Sequence, residues 1–157
     1  MIFIKYPDVK GPSTVNGFVD QLMVDSMQFG VSLGVTSNGP GAGRTTSIPN
    51  FSEISFSRTG DTATPQLLQL CASGTSKPTV VITITREDNG EHLTNTEITL
   101  TNVFVSGISF SSSGGSPYES LSLNYDSIKV DYTSQKTGGG QEGKTPFGWD
   151  LRQNKAK

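Results

Sequence analysis

The chain has 157 residues, a formal net charge of −2 and 18 glycines, and 17% of its residues are charged. This length suits one domain with a sizeable core, and the charge balance offers no basic surface for nucleic acid or for insertion at an anionic membrane. The single cysteine, Cys71, excludes an intramolecular disulfide framework. Abundant Gly, Ser and Thr are typical of short strands joined by turns, so we predict a mainly β protein.

The N-terminus lacks the pattern of a cleavable leader. Only the four residues MIFI precede Lys5, whereas a signal peptide has an apolar run of roughly 7–15 residues. No run approaches the ~20 apolar residues of a membrane helix. We therefore expect the chain to fold in the cytoplasm and to leave the cell, if at all, without a cleavable signal peptide.

The first clear strand pattern is VDSMQFGVS, which alternates with a period of two. The alternation places Val24, Ser26 and Gln28 on one face. Met27 and Phe29 occupy the opposite face. Ser26 and Gln28 make the first face the more polar one, so we expect this face to be in contact with water.

A Gly-rich stretch, SNGPGAGRTTS, follows and resembles the end of a phosphate-binding P-loop at Gly43, Arg44 and Thr45. The lysine of that motif is an arginine here, and Asn38 stands where its first glycine belongs. A strand-like run follows instead of the helix that a phosphate site requires. We interpret residues 36–49 as a long Gly-rich loop, either simply mobile at the surface or kept small to fit a neighbouring subunit.

One segment, DTATPQLLQLCASG, has a helical period instead. Thr64 is the predicted N-cap, Pro65 the first helical residue and Gly74 the residue that ends the helix. We therefore predict one short side helix over residues 65–73. Its apolar side, which includes Cys71, would lie against the sheet.

At least four strands follow the helix. The DNG sequence at residues 88–90 predicts a tight hairpin between two of them. The alternation changes phase near Thr101–Asn102 and again near Asp126–Ser127, as a β-bulge would cause. Two such slips indicate bent strands of the kind that barrel closure requires.

The C-terminal part begins with the polar stretch SQKTGGGQEGK, which predicts a flexible linker over residues 134–146. An amphipathic tail, residues 147–157, follows it. Trp149 in this tail is interpreted as a packing anchor for the tail or as an aromatic contact in a subunit interface.

Catalytic and metal-binding patterns are weak. Cys71 and His92 are the only thiol and imidazole, and we expect one against the sheet and the other exposed after a turn, so they form no nucleophile–base pair. The carboxylates are scattered without ligand spacing, and Glu87 and Asp88 are expected to be solvated. The residues alone favour a binding or structural protein without catalysis, metal or cofactor.

The order of the segments resembles the haemolysin-coregulated protein (Hcp) family, the tube subunit of the type VI secretion system. No single segment is diagnostic, but together they cover nearly the whole chain in family order. They are IFIKYPDVKGPST, MQFGVS, GAGRTTSIPNFSEISFSR, TPQLLQLCASG, EITLTNVFVSGIS, SPYESLSLNYDSIKVDY and FGWDLRQN.

The resemblance implies a fold and an assembly. The fold is a closed antiparallel β-barrel of two sheets with one side helix, in a single domain over residues 1–157. The assembly is a homo-hexameric ring, and rings stack into a hollow tube that a contractile sheath expels behind a spike protein. Small effector proteins would travel in the lumen, first in the cytoplasm and then outside the cell or in a target cell.

The resemblance also implies roles for particular residues. The strand that carries Ser26 and Gln28 would line the lumen. The Gly-rich loop would contact an adjacent ring or subunit. Gly39, Gly41 and Gly43 would permit close backbone approach there, and Arg44 would offer a planar donor fork to a carboxylate or carbonyl.

Two alternatives remain from the residues themselves. The first is a monomeric β-barrel binding module for a carbohydrate or peptide ligand, with an aromatic-lined cleft. Most of the eight Phe, four Tyr and one Trp fall on predicted core faces, which argues against such a cleft. The second is an enzyme of unrecognised type, which would lose turnover on substitution of a specific polar residue.

Overall fold

The computed structural model describes residues 1–157 as fourteen strands and one helix. The longest strand, β10, has 21 residues and belongs to both sheets of the body. The elements in chain order are β1 Ile2–Lys5, β2 Leu22–Val24, β3 Ser26–Gln28, β4 Val31–Ser32, β5 Val35–Ser37, β6 Arg44–Thr46, β7 Asn50–Phe51, β8 Ile54–Thr59, α1 Thr64–Ser73, β9 Lys77–Asp88, β10 Glu91–Ser111, β11 Tyr118–Asn124, β12 Ser127–Gln135, β13 Gln141–Asp150 and β14 Lys155–Ala156.

Two antiparallel sheets share β10 and bury one core between them. The first sheet has the order β2-β1-β9-β10-β12-β13-β14, and the second has the order β10-β11-β8-β3. Nineteen buried apolar side chains from both sheets and the helix form the core. The mainly β architecture with one short helix is therefore confirmed.

The two sheets meet at a corner that is built from two segments of the chain. Asn102 has a φ of 50°, a left-handed conformation that asparagine tolerates better than most residues, and it lies at the predicted phase change in β10. Its Nδ2 donates to Asp126 Oδ2 at 2.6 Å, and Asp126 N donates to Thr101 O at 2.9 Å. The second predicted slip is not a bulge within one strand, because Tyr125 and Asp126 separate β11 from β12.

The predicted closed barrel is not confirmed, because no sheet closes on itself through paired strands. At the remaining side, β2 of the first sheet continues into β3 of the second through Asp25, whose N–H donates to Ser57 O at 2.9 Å. Because of this bend, the predicted alternation is wrong between Val24 and Ser26. Val24 is buried whereas Ser26 is exposed, so the two side chains do not share a face.

The helix α1 begins one residue earlier than predicted, at Thr64, and ends at Gly74 in the left-handed conformation. The prediction of Thr64 as the N-cap is wrong, because the N-cap is Ala63, which has no capping side chain. Thr64 Oγ1 donates to the buried Glu119 Oε2 at 2.8 Å. Asp61 Oδ1 instead accepts from Ala63 N at 2.8 Å. This ten-residue helix is far too short to cross a membrane.

The DNG turn forms the predicted hairpin between β9 and β10. Asn89 and Gly90 have φ values of 51° and 81°, and Asp88 pairs with Glu91. Two successive residues with positive φ define a type I′ turn, whose twist matches that of the flanking strands. The two long strands can therefore pair directly from the turn onward.

The predicted linker over residues 134–146 is wrong, since β12 and β13 pair as a hairpin from Ser127 and Asp150 to Gln135 and Gln141, with one register shift between Thr133 and Gln135. Gly139 and Gly140 take positive φ in its turn. Arg86 Nη2 donates to Gly140 O at 3.2 Å, and Gly140 N donates to Asp88 Oδ2 at 3.4 Å. Both faces of the hairpin are polar and exposed near its turn. The composition of this segment therefore resembles that of a flexible linker.

A polar cluster fastens the helix to the second sheet. Arg58, on the core side of β8, is fully buried and places Nε 2.8 Å from Glu119 Oε1. Asp61 forms a further ion pair with Arg58, and Thr64 donates to Glu119. Arg58 shares the core face of β8 with Ile54 and Phe56 because the side chains of a strand alternate, but the sequence carries no signal that identifies Glu119 as its partner.

A polar strand face and a projecting arm as candidate assembly surfaces

Residues 30–52, which we call the arm, form a long hairpin outside the two sheets. β4 pairs with β7, and β5 pairs with β6. Gly34 O accepts from Ser47 N, and Gly30 O accepts from Ser52 N, both at 2.9 Å. Residues 36–49 were predicted as an irregular loop, but they are the distal part of this arm.

The distal glycines have different backbone roles. Gly39 and Gly41 have φ values of 97° and 80°, which a residue with a Cβ adopts only with strain. Gly43 is not in this region and leads into β6, where Arg44 pairs with Ser37. The side chain of Arg44 is exposed and forms no ion pair within the chain, so its guanidinium is free to contact another molecule.

The arm carries exposed apolar side chains. Val31 in β4, Leu33 in the following connection and Val35 in β5 are 50%, 48% and 55% exposed. Continuing the register of β5 and β6 places Ile48, 71% exposed, opposite Leu33. An isolated two-stranded hairpin is marginal in water, and the chain itself leaves all four of these apolar side chains largely exposed.

Two contacts hold the base of the arm to the body. Tyr125 Oη donates to Ser52 O at 2.9 Å. The ring centroids of Phe51 and Trp149 are 6.1 Å apart, and the angle between the two ring planes is 27°. Trp149 therefore packs against the arm from β13, which links the C-terminal strands to the arm.

Two buried tyrosines, Tyr125 at the base of the arm and Tyr6 after β1, make the free energy of unfolding of the protein depend on pH in the alkaline range. Burial raises the pKa of both Tyr6 and Tyr125 from 10.0 to about 12. The unfolded chain therefore loses these protons first, so their contribution is fully present below pH 10 and is lost as pH rises toward about 12. We expect the urea midpoint to fall across this range.

Tyr125→Phe should flatten that fall. It should also cost about 1 kcal/mol at neutral pH through the lost hydrogen bond to Ser52. Tyr132→Phe, at a half-exposed position, is the matched control. An unchanged pH profile for the Tyr125 variant would contradict the assignment.

The outward face of the second sheet is lined by small uncharged side chains. Ser26 and Gln28 are exposed, whereas Met27 packs against the core, so the predicted alternation within β3 is confirmed. Strand register extends each of them into a row across the sheet. The first row is Ser26, Ser57, Ser120 and Ser109, and the second is Gln28, Ser55, Ser122 and Gly107.

These rows, which we call the serine face, form a neutral hydrogen-bonding surface. Ser26 Oγ and Ser57 Oγ are 2.6 Å apart. Hydroxyl groups donate and accept with little directional restriction. The two rows themselves carry no charge, and Glu53 is the charged residue that lines the same groove as Gln28 and Ser55. Sequence analysis found only the β3 members, because the others come from strands far away in the chain.

The remaining candidate residues do not form a reactive site. His92 is half-buried rather than exposed, with its ring edge-on to Phe3 at a centroid distance of 6.3 Å. Cys71 packs against the core from α1. The chain brings together no group of three His, Cys, Asp or Glu side chains that could hold a metal ion.

A groove of about 830 Å³ lies beside the segment that follows β1. Tyr6 is its only aromatic lining residue, and its other walls include Lys5, Asp8, Lys10 and Asp20. This lining is not the aromatic cleft that a carbohydrate-binding module would need. The groove therefore gives the monomeric binding module no support.

Comparison with known proteins identifies the family. A family model described as "Type VI secretion system effector, Hcp" matches residues 3–132. The chain belongs to the Hcp family. This Hcp chain is also 33% identical over 156 residues to Protein hcp1 of Pseudomonas aeruginosa, an alignment that covers 98% of this chain and 96% of that protein.

Solved structures show the same fold. A structure described as that of a type six secretion system protein matches with a TM-score of 0.92 and 26% identity, over 99% of this chain and 98% of the other. Hcp1 from Salmonella typhimurium matches with a TM-score of 0.80 and 22% identity, over 99% and 97%. This Hcp protein therefore shares its fold with them along nearly its whole length.

Proposed function

We propose that this Hcp protein, as one domain over residues 1–157, is a structural subunit of a type VI secretion tube. Six copies form a ring, and rings stack into a hollow tube that carries small effectors. A contractile sheath expels the tube with its spike from the cytoplasm into a target cell. Membership of the Hcp family and the absence of a reactive cluster support a structural role over catalysis.

The observation that carries the proposal is the second sheet, which has four strands and an unpaired edge on each side. β3 pairs only with β8. Along residues 104–111, β10 pairs only with β11. Unpaired edges invite strands of another molecule, and two different edges on opposite sides suit the heterologous contacts that close a ring.

The serine face supports the placement of the lumen. A ring that continues the second sheet from copy to copy turns one sheet face inward. The core covers the other face, so the serine face with Ser26 and Gln28 is the one available to the lumen. Its neutral hydroxyls suit a wet wall along which proteins of different charge can move.

The solution mass and the particle shape test this proposal together. The monomer has a mass of 16.7 kDa, so light scattering should give six times that value, and negative-stain images should show rings. A monomer at every concentration, even with an added fragment of tube as a template, would contradict it. The monomeric binding module would then be the better account.

Arg44 gives a test of stacking that leaves the ring intact. We expect Arg44→Glu to weaken ring stacking about tenfold, because a charge-assisted hydrogen bond contributes about 1.5–3 kcal/mol. The fold and the ring should persist, since the side chain is exposed and unpaired. Lys144→Glu, an equal charge reversal at another exposed strand position, is the control. Tube formation as in the unsubstituted protein would refute the role of Arg44.

A further inference from the structure

The groove beside the segment after β1 opens on the outer face of the first sheet. Lys5 and Val81 are paired neighbours on β1 and β9, and both line this groove of about 830 Å³. They alternate with the buried Ile4 and Ile82, so their side chains point away from the core. The serine face belongs to the second sheet, across the core, so the groove and the serine face are separate surfaces.

One wall of the groove is a folded loop that leads from β1 to β2. Gly11 N donates to Asp20 O at 2.9 Å. A Cβ on Gly11 would collide with the backbone of Gln21, so the two sides of the loop approach as closely as only glycine permits. The rings of Phe3 and Phe18 stack at a centroid distance of 4.4 Å, which fixes the loop to the sheet. The groove therefore has a preformed wall.

Two aspartates that line the groove have a left-handed backbone. The φ angles are 63° at Asp8 and 60° at Asp20, and residues in sparsely populated conformations cluster at ligand clamps. Both carboxylates already have a partner within the chain. Asp8 pairs with Lys77 at 2.7 Å, and Asp20 pairs with Lys10 at 3.7 Å. These aspartates therefore shape the groove without adding an unpaired negative charge.

Lys5 supplies the unpaired charge of the groove. The charged lining residues are Lys5, Asp8, Lys10 and Asp20, and Lys5 is the one that forms no ion pair within the chain. Pro7, Val19 and Val81 line the same groove with aliphatic surface. A ligand that complements this lining has an aliphatic group close to a carboxylate.

Strand β9 presents free backbone groups at the groove. Met1 N donates to Thr85 O at 3.1 Å, and Thr85 N donates to Met1 O at 2.8 Å. Such doubly bonded pairs recur at every second position of an antiparallel ladder, so the register of β1 and β9 turns the N–H and C=O of Thr79 toward Pro7. Proline has no N–H, and β1 has already ended at Lys5. The exposed Thr79 is therefore open to the backbone of an extended ligand.

We propose that this groove binds an extended peptide segment of another protein, with aliphatic side chains beside a carboxylate. The peptide backbone pairs with Thr79, an aliphatic side chain contacts Val19 and Val81, and the carboxylate contacts Lys5. In strand addition of this kind, main-chain hydrogen bonds give affinity and side-chain pockets give specificity.

The peptide needs no aromatic platform, unlike the ligand of the rival binding module with its aromatic-lined cleft. All residues of the site belong to one chain. The inference therefore does not depend on ring formation, and it adds a docking site to a structural subunit.

A labelled peptide tests the binding. The probe is fluorescein-labelled Ser-Val-Thr-Val-Asp-Glu-Ser with an amidated C-terminus, and the control peptide has Lys-Lys in place of Asp-Glu. We expect fluorescence anisotropy to give at least tenfold higher affinity for the acidic peptide. Lys5→Glu should lower that affinity at least tenfold and raise the affinity for the control peptide. Lys144→Glu, the same charge reversal at an exposed position of β13, should change neither.

Val19→Ser tests the aliphatic wall without a change of charge. Val19 is 59% exposed, so the thermal midpoint should stay unchanged, whereas peptide affinity should fall about tenfold through the lost apolar contact. Equal affinity for the two peptides, or a Lys5→Glu protein that binds like the unsubstituted one, would overturn the proposal. Binding to the monomer but not to assembled rings would show that a second copy covers the groove, and would overturn it as well.

Discussion

Replacement of Arg58 with alanine is expected to lower the free energy of unfolding by about 3–5 kcal/mol, because it leaves a buried carboxylate without its partner. Arg58 and Glu119 are both inaccessible to water, with Nε and Oε1 2.8 Å apart. Glu119 also accepts from Thr64, so the loss extends to the start of α1. Urea unfolding at neutral pH measures the difference.

A double variant separates the cost of the orphaned charge from the value of the pair. Arg58→Met with Glu119→Leu replaces both charges by apolar groups of similar size, and such replacements are often neutral or stabilising. We expect it to recover most of the loss. A single Arg58→Ala variant that loses less than about 1 kcal/mol would show that water or another group satisfies Glu119.

Shortening the arm is expected to abolish stacked assemblies while the body stays folded. The variant replaces residues 32–50 with Asn-Gly, so that Val31 and Phe51, which pair in the present chain, flank a type I′ turn. Phe51 keeps its contact with Trp149. The removed residues contribute nothing to the core, and closing a shorter loop costs less entropy, so stability should rise by no more than about 2 kcal/mol.

Light scattering and urea unfolding on the same sample decide this result. Loss of large particles with an unfolding midpoint that is unchanged or slightly raised would assign the arm to assembly. Loss of the fold would show that the arm stabilises the body, and persistence of stacks would remove it from the assembly contacts. Insertion of Gly-Gly into the 136–140 turn, a second exposed hairpin tip, controls for general disturbance of the surface.

The two predictions describe a chain divided between a body and an arm. The body has a single core of 19 buried side chains and a buried ion pair that fastens its helix. The arm has exposed side chains from Gly30 to Asn50, except the half-buried Pro49. Substitutions in the body should therefore change the unfolding midpoint, whereas substitutions in the arm should change particle size.

Several features were predictable from neighbouring residues in the chain. The helix near residues 64–73 follows from its apolar period and from Gly74 at its end. The DNG hairpin follows from turn chemistry, and the bend in β10 follows from the phase change at Asn102. The alternation of Ser26 and Gln28 with Met27 likewise depends only on the period of a strand. The family resemblance was also readable, from the order of the segments.

Other features depend on which strands pair and could not be read from the sequence. The serine face requires the register of four strands that are far apart in the chain, and Glu119 becomes the partner of Arg58 only through pairing of β8 with β11. The linker over residues 134–146 was wrong for a related reason. A hairpin with two polar faces has no hydrophobic alternation, so its composition resembles that of a flexible segment.

The sequence by itself determined the mainly β composition, the helix, the tight turn and the position of one corner, because capping, turn and periodicity effects act over a few residues. Only the tertiary structure decided that the sheets do not close by pairing and that the Gly-rich stretch is the distal part of a paired hairpin with exposed apolar side chains. These properties depend on strand register and on which surfaces remain uncovered, and both are set by contacts between residues distant in the chain.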